Sequence, residues 1–243
     1  MKRIKTKDYD EMSKRACRKV IEAIERSDQP VLGLATGSTP EGLYDCLIEA
    51  YKKGHVHFGN VTTFNLDEYI GLSPDDENSY HYYMNEKFFK HVGLPTSQTN
   101  VPKGNTGDNK RACEDYEALI RDAGYVDLQI LGIGENGHIA FNEPGTPFES
   151  RTQVVDLTES TKNANARFFD SIEDVPTKAI TMGLKSIMES KEIVLLASGV
   201  KKADAMAKLI HGDVSEAFPA SILRNHPNVT IIADEDALSK VRD

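Results

Sequence analysis

The segment Leu131-Gly132-Ile133-Gly134-Glu135-Asn136-Gly137-His138-Ile139-Ala140-Phe141-Asn142-Glu143-Pro144 breaks an apolar run with three glycines. The run before it, Val126 to Leu131, has the spacing of a largely buried strand. Where that strand should give way to a loop, the chain places an amide, an imidazole and a carboxylate: Asn136, His138 and Glu143. Loops at the carboxyl ends of parallel strands are where α/β proteins keep their chemistry. The segment is thus a fold signal and an active-site candidate at once.

It also contains a decoy. Gly132, Gly134 and Gly137 match G-x-G-x-x-G after a strand, and Asp156 sits roughly 20 residues on, where a dinucleotide-binding turn keeps its ribose-binding acid. That turn needs a helix starting at the glycines, with its N-terminus on the pyrophosphate. Here Pro144, Gly145 and Pro147 interrupt the chain soon after Gly137, so no helix of ordinary length fits. The nicotinamide reading is disfavoured.

Outward from this segment, strand and helix patterns alternate. Tyr9 to Arg26 carries a helical stripe through Met12, Ala16, Val20 and Ile24, and Val31 to Ala35 reads as a buried strand. A helical pattern runs through Leu43, Leu47 and Tyr51, followed by a strand over Val61 to Asn65 and a helix around Tyr80 to Phe89. A Gly/Pro/Asn-rich connector, Gly93 to Asn109, precedes a helix over Ala112 to Ala123. Past the run Thr152 to Val155 the sequence is less regular until Ile187. Then come a strand over Glu192 to Ala197, a helix over Lys201 to His211, a strand over Val229 to Ala233 and a short helical tail. The expectation is an α/β fold: one doubly wound, largely parallel sheet with helices on both faces, Rossmann-like without a nucleotide. No repeat or linker divides residues 1–243, so a single catalytic domain is expected.

The net charge of −9 would repel phosphate backbones and anionic lipid, which argues against nucleic acid and membrane as partners. An anionic small substrate would need a local basic pocket. Cys17, Cys46 and Cys113 are odd in number and far apart, as expected of reduced, mostly buried thiols in a cytoplasmic protein. The basic start, Met1 to Lys5, is followed by no apolar stretch, so neither a signal peptide nor a membrane anchor is expected.

Three further pieces carry chemistry. Thr36-Gly37-Ser38-Thr39, between a strand and a helix, offers hydroxyls and N–H groups for a phosphate. The plainer alternative is that Ser38 caps the helix, with Glu41 completing a capping box. Asp67 and Glu68 end a strand at the expected ligand crevice. One of them could serve as a base for carbon-bound protons if burial raises its pKa, but an acidic turn in solvent fits equally well. His138 lies near Asn136 and Glu143, groups able to orient an imidazole for acid–base work. Arg167 and Lys202 suit a phosphate or plain surface charge. His55-x-His57 lacks a third ligand and reads as solvated, so no metal is expected.

Four motifs together resemble the glucosamine-6-phosphate deaminase family: Leu34 to Pro40, Phe64-Asn65-Leu66-Asp67-Glu68-Tyr69, Gly132 to Pro144, and Asn165-Ala166-Arg167-Phe168-Phe169. The likeness runs from Val31 to about Ala233. It implies an enzyme, classed as a hydrolase, that turns glucosamine 6-phosphate and water into fructose 6-phosphate and ammonia without a cofactor. It further implies Asp67 as the base moving a proton between C2 and C1. His138, with Glu143 as its carboxylate partner, would open the sugar ring. Thr36, Gly37, Ser38, Thr39 and Lys202 would hold the phosphate, Arg167 would add to the clamp, and Gly132 would lend backbone to the sugar. Some relatives have Asp where this chain has Asn136, which can orient the imidazole but not neutralise imidazolium.

Two competing readings are a 6-phosphogluconolactonase-like hydrolase, which needs no carbon-proton base, and a non-catalytic sugar-phosphate sensor. The resemblance leaves the oligomeric state open between monomer and small homo-oligomer. Some relatives are allosteric oligomers that bind an acetylated effector through basic residues. The matching positions here are Gln153 and Val155, with Arg151 and Lys162 nearby, and the chain stops at Asp243 without those relatives' longer extension. A non-allosteric enzyme is therefore expected.

Overall fold

The structure, a computed structural model, describes residues 1–166, 169 and 171–242. Its elements in chain order are β1 (Lys2–Thr6), α1 (Tyr9–Glu25), β2 (Val31–Leu34), α2 (Glu41–Lys52), β3 (Thr62–Asn65), β4 (Asp67–Tyr69), α3 (Tyr80–Lys87), β5 (Thr99–Asn100), α4 (Asn109–Asp122) and β6 (Leu128–Leu131). There follow β7 (Gln153–Asp156), α5 (Glu159–Asn165), β8 (Lys178–Thr181), α6 (Leu184–Met188), β9 (Glu192–Ala197), α7 (Ala203–His211) and β10 (Val229–Asp234).

Among the described residues, seven strands form one parallel sheet in the order β1-β10-β9-β6-β2-β3-β5. Every residue of β2, β6, β9 and β10 is buried, so both faces of the sheet are covered, as the continuous apolar runs require. From β2 the chain moves by way of α2 to β3 on one side. From β6 it moves to β9 on the other side. The loops after β2 and β6 therefore diverge and leave a crevice at the carboxyl ends of those two strands. No helix among the described residues is long and apolar enough to cross a membrane.

A second, three-stranded antiparallel sheet, β4-β8-β7, adds to the expected layer. It occupies part of the region that reads as irregular in the sequence. β7 alternates half-buried and exposed residues, the pattern of a strand covered on one face, and so it does not enter the central sheet. The basic N-terminus, assigned no structure above, is the edge strand β1. The expected helical tail is instead a series of turns after β10, with the Asp234 carboxylate accepting the N–H of Ala237 at 2.8 Å.

Candidate active site

The crevice opens into a cleft of about 610 Å³ lined by the loops after β2, β3, β6 and β9. It brings together Thr36, Gly37, Ser38, Thr39, Asp67, Gly132, Asn136, His138 and Lys202. Glu143 stands behind the imidazole. Arg167 lies outside the described residues. The thiols Cys17, Cys46 and Cys113 are free, and His55 and His57 are exposed. Among the described residues no cluster of three or more His, Cys, Asp or Glu side chains is arranged to hold a metal ion.

The loop after β6 is not the start of a helix; the next helix is α5, beyond β7. Its glycines have other reasons to be there. A Cβ on Gly134 would lie 2.2 Å from the His138 ring. Gly137 has φ +86°, and a Cβ there would strike the Phe218 ring. The loop is held by Asn142, whose amide donates to the carbonyls of Ile139 (3.0 Å) and Met182 (2.8 Å), and by the Ala220 N–H on the Gly137 carbonyl (2.9 Å). Asp156 ends β7 on the surface, 3.7 Å from Lys178, far from any ribose-binding role.

The imidazole is oriented through a relay. Its Nδ1 stands 2.7 Å from Asn136 Oδ1, with Glu143 Oε1 at 3.8 Å, so Asn136 supplies the orienting hydrogen bond and Glu143, the carboxylate partner that the resemblance implies, acts through it. Asn136 Nδ2 donates to Glu143 Oε2 at 2.7 Å, and the Thr161 hydroxyl donates to Oε1 at 2.5 Å. A carboxylate only accepts, so it forces the amide NH₂ towards itself and the amide oxygen towards the ring. Nδ1 must then carry the proton, leaving Nε2 as a free base. Desolvation lowers the His138 pKa below its ordinary 6.5; the Glu143 charge opposes this and Lys202 assists it. The ring is therefore neutral near pH 7.

The two adjacent acids separate cleanly. Glu68 accepts N–H bonds from Tyr69 (2.8 Å), Tyr80 (3.0 Å) and His81 (2.9 Å), so it caps α3. Asp67 accepts none from the described residues and is 7% exposed, at the cleft. Desolvation first, and then the Glu68 charge, push its carboxyl from 3.8 up to about 8. That is a carboxylate poised for proton transfer near neutral pH.

The loop after β2 departs from the plainer expectation. No side chain caps α2; its N-cap is Pro40, and Ser38 is not used that way. None of the backbone N–H groups of Thr36, Gly37, Ser38 and Thr39 donates to another described residue. Four open donors just before a twelve-residue helix are the arrangement that suits an anion. Lys202 arrives after β9 on a turn held by Asp234, which accepts from Ser198 Oγ and from the Gly199 N–H (3.0 Å).

Two groups of residues at the site left little trace in the sequence. Tyr69, Tyr80, Phe141 and Phe169 make an aromatic wall beside Asp67, with Tyr80 stacked on Phe141 at 6.1 Å. Thr158 and Thr161 buttress Glu143. Only the Thr158 capping position left a trace in the sequence, at the start of α5.

The family model for glucosamine-6-phosphate isomerases and 6-phosphogluconolactonase matches residues 5–232. Glucosamine-6-phosphate deaminase of Oceanobacillus iheyensis is 58% identical over 241 residues, 99% of this chain and 96% of its own. Glucosamine-6-phosphate deaminase 1 of Bacillus subtilis is 51% identical over 239 residues, covering 98% and 99% of the two chains. A solved monomeric glucosamine-6-phosphate deaminase, 51% identical, superposes with a TM-score of 0.97 over 99% of this chain and 100% of that one. The 6-phosphogluconolactonase of Trypanosoma brucei, 20% identical, superposes at 0.79 over 99% and 98%, a likeness of fold. The chain belongs to the glucosamine-6-phosphate isomerase/6-phosphogluconolactonase family.

Proposed function

We infer that this protein converts glucosamine 6-phosphate and water to fructose 6-phosphate and ammonia. The observation that carries the reading is Asp67: a desolvated carboxyl group, uncommitted among the described residues, in the same cleft as a neutral imidazole and the open donors of residues 36–39. A lactonase has no carbon-bound proton to move, and a sensor has none either. Incubation with glucosamine 6-phosphate should release ammonia and fructose 6-phosphate in equal amounts. Hydrolysis of 6-phosphogluconolactone without ammonia release would overturn the reading.

In this mechanism residues 36–39 and Lys202 hold the phosphate, with Arg167 as a proposed addition. His138 Nε2 takes the anomeric hydroxyl proton and returns it to the ring oxygen, so the ring opens to the aldehyde. Asp67 then removes the proton from C2, giving an enolamine, and delivers it to C1. The resulting C2 iminium adds water and loses ammonia. The net change is hydrolysis of a C–N bond, which is the sense in which the enzyme is a hydrolase. Gly132 borders the cleft with open space where a side chain would stand, which leaves its backbone accessible to the sugar. We propose that residues 1–243 act as one cytoplasmic catalytic domain, monomeric like the solved relative.

Asn136→Asp tests the relay. It would set a carboxylate oxygen against Glu143 Oε2 where the amide now donates at 2.7 Å. The acid pair would share a proton, and the remaining charge beside Nδ1 would favour imidazolium. Activity should persist, with the acid limb of the kcat/KM profile moved to higher pH. An unchanged profile would mean that position 136 does not govern the ring.

Regulation should be absent. Gln153 and Val155 offer no cation. Arg151 is held by Glu189 (2.6 Å on both nitrogens) and Glu117 (3.2 Å), and Lys162 by Glu159 (2.6 Å). A phosphorylated effector would have to displace carboxylates to gain charge-assisted bonds. Initial rates should rise hyperbolically with glucosamine 6-phosphate and ignore N-acetylglucosamine 6-phosphate. Allosteric coupling of about 1–3 kcal/mol would show plainly as a sigmoidal curve straightened by the effector.

A further inference from the structure

Three tyrosines from three helices grip the loop after β2 by its carbonyl oxygens. Tyr44 of α2 donates its hydroxyl to the Ala35 carbonyl at 2.5 Å, and Tyr83 of α3 donates to Gly37 at 2.7 Å. Tyr9 of α1 donates to Ser38 at 3.0 Å and accepts the Gly42 N–H at 2.8 Å, so one hydroxyl ties the loop to the first turn of α2. Tyr44 is fully buried, stacked on Phe88 at 4.9 Å; Tyr9 and Tyr83 are half-buried.

The geometry of the peptide unit gives these bonds a consequence in the cleft. In a trans peptide the C=O of one residue and the N–H of the next point in opposite directions. Drawing the carbonyls of Ala35, Gly37 and Ser38 to the tyrosines turns the N–H groups of Thr36, Ser38 and Thr39 the other way, and these are open donors. A carbonyl oxygen turned inward would instead present negative charge to an incoming anion. Gly37, at φ +87°, lets the chain reverse between the first grip and the second.

We propose that Tyr9, Tyr44 and Tyr83 are positioning residues that preorganise this loop for the phosphate of the substrate by holding its carbonyls; Tyr83 also borders the cleft, whereas Tyr9 and Tyr44 stand behind it. The proposal rests on the reading of residues 36–39 as the phosphate site. Because the donors are already aimed, binding needs no reorganisation of the loop.

The test uses the full-length protein with Tyr9→Phe, Tyr83→Phe and the double variant, each keeping its ring and losing one oxygen. The readouts are KM and kcat for glucosamine 6-phosphate, the Kd of inorganic phosphate, and the melting temperature. One net hydrogen bond corresponds to about a threefold to tenfold change in affinity. KM and the phosphate Kd should rise together by that factor in each single variant and further in the double, with kcat falling less. A lower kcat or melting temperature with unchanged KM and phosphate Kd would reduce the tyrosines to structural residues and overturn the proposal. Lys202→Ala and Ser38→Ala separate the two ideas. If they weaken phosphate while the tyrosine variants do not, only the positioning proposal fails. If they too leave phosphate binding unchanged, the loop is not the phosphate site and the proposal falls with that reading.

Discussion

Asp67→Asn is expected to lower turnover of glucosamine 6-phosphate by roughly 10²–10⁴-fold, the range of a positioned general base. The substitution preserves shape and removes the group proposed to carry the C2 proton. Phosphate affinity should stay near that of the parent, because the proposed phosphate site lies on the loop after β2 and Asp67 follows β3. In deuterated water the parent should place deuterium at C1 of fructose 6-phosphate, and the variant should lose that exchange in step with turnover. Near-normal turnover would reject Asp67 as the base. Glu68 could not simply replace it, since its carboxylate is spent on three backbone N–H groups, that of Tyr69 in β4 and those of Tyr80 and His81 at the start of α3.

The same substitution carries a stability consequence of opposite sign. The Asp67 carboxyl titrates at about 8 in the fold against an ordinary 3.8, so between those values the folded state binds the extra proton. Stability linked to this group is present at low pH and is lost as pH rises through about 8. An Asn at this position never ionises. The variant should match the parent near about pH 4 and resist denaturant better near about pH 9. A parent at least as stable as the variant at the higher pH would mean that the fold does not oppose ionisation of Asp67. An inactive, more stable protein is the pattern expected where a site holds an uncomfortable charge for its chemistry.

The central sheet was legible in the sequence because its strands are unbroken apolar runs, such as Ile193 to Ala197 and Ile231 to Ala233, which only a two-sided burial explains. The strands that escaped notice lack that signal. β1 is a basic edge strand with a single neighbour, β4 and β5 have three and two residues, and β8 is a run of only four. The cleft loops were legible because Gly, Asn, His and Glu crowd into one short stretch. What could not be read was the choice between neighbours. Asp67 and Glu68 are equivalent as letters, and they differ only because α3 folds back to place its N-terminus on Glu68. That Asn136 can orient the imidazole is legible in the sequence; that it stands between His138 and Glu143 is not. Thr161 sits 18 residues past Glu143 in a stretch without periodic pattern, so only the fold brings its hydroxyl to the carboxylate.

That inserted amide makes His138 and Glu143 act as one unit, with a measurable signature. His138→Ala removes the proposed ring-opening base and should cost roughly 10²–10⁴-fold in turnover. Glu143→Gln leaves the ring in place but no longer dictates the Asn136 amide. The new side chain can donate as well as accept, so the orientation of the Asn136 amide then rests on one bond alone, from the His138 backbone N–H to Oδ1 at 3.1 Å. Wherever the amide does turn over, the imidazole holds its proton on Nε2, the nitrogen that must be free to take the anomeric proton. Glu143→Gln should therefore lower turnover, by less than losing the ring, although Glu143 Oε1 stands 3.8 Å from Nδ1, beyond hydrogen-bonding distance. Once His138 is gone, the tautomer no longer matters, and the double variant should be little worse than His138→Ala alone. Steady-state rates of the parent, both single variants and the double variant decide this. If the two free-energy losses simply add, Glu143 acts on the reaction independently of the imidazole, and the relay through Asn136 is not how this site sets the state of its histidine.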